Sequence, residues 1–125
     1  MMSYNKYGNQ YAYHGGQRYD SKFEASVAQD LELMQKAGEI QGFDTQYKVD
    51  VYAYDVDGLQ VKLCSHKVDF RIHHNDGTYE LLEAKGRETQ DYKWRRMCLE
   101  NFWLPKQPDH DYRVIKNDGF DWRSV

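Results

Sequence analysis

The feature that most constrains this chain is a pair of alternating runs around one turn. Residues 59–73 and 78–85 are separated by "HNDG" at 74–77, a strong hairpin signal because its glycine tolerates positive φ. In the first run Val68, Phe70 and Ile72 share one parity, and Lys67, Asp69 and Arg71 the other. The alternation predicts a core face of Val68, Phe70 and Ile72 and an opposite face carrying Asp69. In the second run Glu83 and Lys85 share a face, with Ala84 between them and Gly86 ending the strand. Counting from the turn, Asp69 and Glu83 fall at the same end of the hairpin, as approximate cross-strand neighbours. Two carboxylates and a lysine thus converge at one end of a sheet.

The remaining elements build around that hairpin. "QYAY", "HGG" and "QRYD" at 9–20 form a small hairpin. Ser21 is a helix N-cap, and Phe23, Val27, Leu31 and Met34 recur at helical spacing over 21–37. A strand runs through Val49, Val51 and Ala53 to the Asp57-Gly58 turn. A second helix is expected over 89–104, ended by Leu104-Pro105, then a short strand over 111–118 and a loose tail. The class is α/β: an αβββαβ core, its mixed central sheet flanked by helices, with a short N-terminal hairpin. One domain spans 1–125, with an arm at 5–20, a core at 21–116 and a tail at 117–125.

Like charges at close range repel unless a cation joins them. Mg²⁺ accepts one or two carboxylates and completes its shell with waters and substrate phosphate. A lysine beside one ligand can orient or deprotonate the attacking water. Asp69, Glu83 and Lys85 are therefore suited to phosphodiester hydrolysis, against the plainer reading of a surface Asp–Lys pair on an exposed sheet. The net charge is −3, yet Lys85, Arg87, Lys93, Arg95 and Arg96 stand against only Glu88 and Asp91 in one segment. That segment is locally basic inside an acidic chain. Cys64 and Cys98 are expected as buried, reduced thiols, and neither has the spacing of a zinc site. His66, His73 and His74 lack ligand spacing and are set aside, His66 as out of phase with Asp69. No apolar run is long enough for a membrane span, and the N-terminus lacks a signal-peptide core, so a cytoplasmic protein is expected.

"VDF" at 68–70 followed by "EAK" at 83–85 resembles the PD-(D/E)XK nuclease superfamily, with Val68 in place of the usual proline. "NKYGNQYAYHGGQRYDSKFEA" at 5–25 and "AKGRETQDYK" at 84–93 resemble a family of small phage-encoded endonucleases within it. The layout is also similar to that of phage junction-resolving endonucleases. The resemblance implies a restriction-endonuclease-like core and a metal-dependent DNA endonuclease of phage DNA processing. It would leave 5′-phosphate and 3′-hydroxyl ends, with duplex or branched DNA such as a Holliday junction as substrate. It implies Mg²⁺, with Mn²⁺ able to substitute, held by Asp69, Glu83, the Ala84 carbonyl and Glu24, with Lys85 as the catalytic lysine. Arg87, Lys93, Arg96, Lys22 and Gln46 are the implied DNA-contacting residues. Glu24 has a second explanation, because "SKFE" is also a capping box. Cutting two strands needs two active sites, so a homodimer in the (host) cytoplasm is expected. The rival is a non-catalytic nucleic-acid-binding or scaffold protein that retains the nuclease fold.

Overall fold

The computed structural model describes residues 12–19, 21–119 and 121–124. Strands β1 (Ala12–His14) and β2 (Gln17–Tyr19) pair as a hairpin whose turn uses Gly15 and Gly16, both at positive φ. The rest of the expected arm, residues 5–11 and 20, lies outside the described residues. Helix α1 (Lys22–Lys36) opens at Ser21, whose hydroxyl accepts from the Glu24 amide at 3.0 Å. Strands β3 (Gly42–Tyr54), β4 (Gln60–His73), β5 (Tyr79–Ala84) and β6 (His110–Ile115) form one sheet in the order β3-β4-β5-β6. β3, β4 and β5 are antiparallel meander strands, and β6 joins parallel to β5. The chain is thus an α/β protein with a mixed four-stranded sheet.

Helix α2 (Gln90–Cys98) provides the crossover between β5 and β6. It is shorter than the 89–104 expected. The chain widens into a π-turn at Leu99–Trp103 and tightens into a 3₁₀ turn at Leu104–Lys106, where Pro105 cannot continue a helix. The described part of the tail is anchored rather than loose. Trp122 is buried, and its indole donates to Asp30 Oδ2 on α1 at 2.9 Å.

Each face of the sheet has its own core. α1 contributes Val27, Ala28 and Leu31 to a cluster with Phe70, Ile72, Leu82, Ala84, Ile115 and Trp122. α2 and the π-turn contribute Cys98 and Leu99 to a second cluster with Val49, Val51, Val68 and Leu81. The neighbours Leu81 and Leu82 go to opposite clusters, as alternation requires. Val68 and Phe70 do not follow the expected single face. Val68 packs on the α2 side and Phe70 on the α1 side, although they are two residues apart. Phe43 and Tyr47 on β3 divide in the same way. The register is continuous across the switch, from Thr45↔Phe70 to Tyr47↔Val68. Between those pairs lies Gln46, the only non-glycine at positive φ (53°) among the described residues. A left-handed residue in a strand turns the following β3 side chains over, and β4 exchanges faces at the facing position, Asp69.

Candidate active site

The site forms where β4 and β5 part. Their ladder ends at Phe70↔Leu82, one step before Asp69 would oppose Glu83. In place of the next rung, Asp69 Oδ2 accepts the Ala84 amide at 2.9 Å, in the gap between the strands. β5 stays attached to β6, and the Lys85 amide continues the contact by donating to the Ile115 carbonyl at 3.0 Å. The sheet therefore forks at Asp69 and Glu83, the end at which the two acids were expected to meet.

Burial singles out the same residues. Among the described residues the buried polar or charged side chains are Glu24 (2 % exposed), His66 (2 %), Asp69 (5 %) and Glu83 (0 %). The three acids are those expected as metal ligands. Removing a carboxylate from water is costly unless a cation or donors replace the lost hydration, so buried acids are candidates for a functional site.

Each acid is engaged separately. Glu24 Oε1, on α1, accepts from Gln46 Nε2 at 2.7 Å. Gln46, one of the expected DNA contacts, thus points to Glu24 and is the strained residue opposite Asp69. Glu83, on the α2 side, meets His66 Nε2 with Oε1 at 2.5 Å, and its Oε2 accepts the Tyr112 hydroxyl. The Tyr92 and Tyr112 hydroxyls are 3.1 Å apart. Burial works to raise the Glu83 carboxyl, but the hydrogen bond and charge of His66, with Tyr112 and Tyr92, bring it below its ordinary value. Burial also pushes both tyrosine hydroxyls upward, so they remain donors to an ionised Glu83. The structure does not gather Glu24, Asp69 and Glu83 into one shell. Among the described residues no three His, Cys, Asp or Glu side chains stand together as a metal site. The donors nearest the fork are nevertheless oxygens of Glu24, Asp69, Glu83 and the Ala84 backbone, a set that suits a hard cation such as Mg²⁺ or Mn²⁺.

Lys85 shares the α2 face with Glu83, as expected, and its ammonium stands 4.9 Å from the Tyr92 ring centroid. Glu83 and Lys85 line an open cleft of about 410 Å³ together with Ser65, His66, Lys67, Thr89, Asp91, Tyr92 and Arg95. Of the expected DNA contacts, Lys22, Arg87 and Lys93 are exposed. Arg96 is held between Glu88 (3.2 Å) and Glu100 (2.6 Å) and lies outside this cleft. Sequence reasoning passed over His66, Tyr112 and Lys67. The parity that His66 shares with Val68 was the available signal, since it put a polar ring on a core-facing row.

Gln46 offers a direct measure of the site's strain. Glycine there relieves the left-handed conformation but loses the hydrogen bond to a buried carboxylate, worth about 1.5–3 kcal/mol. Alanine loses the bond and keeps the strain. Denaturant unfolding is expected to rank wild type above Gln46→Gly and Gln46→Ala last, the two variants differing by about 1 kcal/mol. An alanine variant as stable as the glycine variant would mean that the backbone there is unstrained.

The fold and the buried acids together define a mixed α/β protein with a forked sheet and a single carboxylate-rich site at the fork among the described residues. The chain belongs to the family described as "Protein of unknown function (DUF1064)", whose family model matches residues 4–118. No curated protein and no solved structure matches it. No helix among the described residues is long and apolar enough to cross a membrane.

Proposed function

We propose that the chain is a metal-dependent DNA endonuclease with a restriction-endonuclease-like core, acting on duplex or branched DNA as a cytoplasmic homodimer. The observation that supports this reading is the burial of Glu24, Asp69 and Glu83, and of no other acid among the described residues, around one fork of the sheet. Asp69, Glu83 and the Ala84 carbonyl, with Glu24, would hold Mg²⁺ or Mn²⁺. The bound ion would supply Lewis-acid polarisation of the scissile phosphate and charge neutralisation.

The chain's own groups would do the rest. The Ala84 amide fixes the Asp69 carboxylate, and His66 and Tyr112 fix that of Glu83, so both are oriented before substrate arrives. Lys85, on the face of Glu83, would orient the attacking water and offset charge developing on the phosphate oxygens. Water oxygen would bond to phosphorus as the P–O3′ bond breaks. The departing 3′ oxygen takes up a proton, leaving 3′-hydroxyl and 5′-phosphate ends.

The test is a cleavage panel of four-way junction, linear duplex and single-stranded DNA with Mg²⁺ and with chelator. Cleavage is expected only with metal, and Lys85→Ala is expected to slow it by about 10²–10³-fold. DNA binding without metal-dependent cleavage would favour the scaffold reading instead.

A further inference from the structure

Cys64 on β4 and Cys98 at the end of α2 are distant in the chain and take no part in the chemistry proposed above. Both are free thiols. The fold brings them to one place. Cys98 is a fully buried member of the α2-side core, and Cys64 packs against that core from the sheet. Arg95 fixes the approach. Its guanidinium donates to the carbonyl of Ser65, the neighbour of Cys64, and Arg95 lies one helical turn before Cys98 on the same side of α2. The turn that carries Cys98 is thereby pinned against the stretch of β4 that carries Cys64. The two thiols stand within hydrogen-bonding reach of one another, and burial, followed by the charge and hydrogen bond of Cys64, pushes the Cys98 thiol up to about 11. Cys64 is not buried as expected; it is half-buried, so solvent reaches one member of the pair and not the other.

A thiol that solvent reaches, backed by a second thiol able to resolve it, is the arrangement of an oxidisable pair. We propose that Cys64 and Cys98 are a redox-sensitive pair that closes to a disulfide under hydrogen peroxide and ties α2 to β4. The Cys64 sulfur attacks one peroxide oxygen and the O–O bond breaks. The departing hydroxide takes the thiol proton and leaves as water, with Cys64 as the sulfenic acid. The Cys98 sulfur then attacks the Cys64 sulfur, the S–O bond breaks, and a second water carries off the Cys98 proton. The two thiols lose two electrons and the peroxide gains them. The bond would act on both walls of the cleft, since α2 contributes Tyr92 and Arg95 to it and β4 contributes Ser65 and His66. A disulfide holds its sulfurs about 2.05 Å apart, well inside the contact distance of two thiols, so closing it draws α2 toward β4 and narrows the space in which Lys85 stands. Slower cutting by the oxidised chain rests on the nuclease reading; the thiol pair does not.

The experiment treats the full chain, metal-free, with hydrogen peroxide and maps it by non-reducing proteolysis and mass spectrometry. A crosslinked peptide pair joining Cys64 to Cys98 is expected, and dithiothreitol should reverse it. The melting temperature of the oxidised chain should rise by about 10 °C, the effect of closing a loop of this length in a chain of this size. Cys64→Ser should lose both the crosslink and the rise. Oxidation of the two thiols without a bond between them overturns the proposal. So does a crosslink that lowers the melting temperature, because the pair would then close only at the expense of the native fold. A second arm compares Mg²⁺-dependent DNA cleavage by the oxidised and reduced chain. Oxidation is expected to slow it about tenfold, with recovery in dithiothreitol and no response to peroxide in Cys64→Ser. Equal rates in the two states overturn the effect on the cleft. A chain that forms the crosslink with its thermal gain and cuts DNA in neither state keeps the redox pair and loses the nuclease reading.

Discussion

Asp69→Asn is expected to lower metal-dependent DNA cleavage on the order of a thousandfold, about 4 kcal/mol of transition-state stabilisation, while leaving the fold intact. The substitution is chosen for what it keeps. Asp69 Oδ2 accepts the Ala84 amide at 2.9 Å, and an asparagine oxygen can take that role. Alanine would instead leave a buried backbone N–H without a partner, at about 1–3 kcal/mol, and would confuse a catalytic loss with a structural one. Asparagine removes the charge and keeps the size and one acceptor oxygen. The measurements are single-turnover cleavage with saturating Mg²⁺ and thermal unfolding of the same sample. Cleavage at the wild-type rate by a normally folded Asp69→Asn protein would remove Asp69 from the chemistry.

Phe70→Ala is expected to cost about 3–5 kcal/mol, the usual range for emptying a buried aromatic site. Phe70 is 0 % exposed and packs between Tyr19 and Phe43, each with ring centroids 6.2 Å away. It is also the last β4 residue in the ladder with β5 before the fork, so its loss loosens the backbone that carries Asp69. For a chain of this length the loss corresponds to a fall in melting temperature on the order of 15 °C. Phe70→Leu, which keeps most of the volume, should cost markedly less. A Phe70→Ala protein that melts within a few degrees of wild type would mean that the α1-side core does not hold the fork.

Much of this arrangement was legible in the chain. Ser21 and the apolar spacing from Phe23 to Met34 announced α1, and "HNDG" announced the hairpin that brings Asp69 toward Glu83. Local signals of this kind are short-range and survive in any surroundings. What escaped depended on partners far along the chain. The face exchange needs the φ of one residue, Gln46, whose identity carries no left-handed signature. His66 reads as an incidental strand residue until β5 brings Glu83 against it, 17 positions later. Trp122 sits in a Gly- and Asp-rich stretch that reads as coil, and only Asp30, 92 positions earlier, shows that it is anchored. α2 was overextended because the π-turn keeps helical spacing while changing its hydrogen bonds.

The exchange of faces at Gln46 also bears on how such chains can vary. It acts as a frameshift in side-chain parity: even-numbered β4 positions belong to one helix before Asp69 and to the other after it. A single-residue insertion in β3 or β4 would misdirect every side chain up to that point unless the partner strand changed in step. Such an insertion costs least in the outer ribbon beyond Val51 and Cys64, where the register already slips and misdirected side chains meet solvent rather than a core.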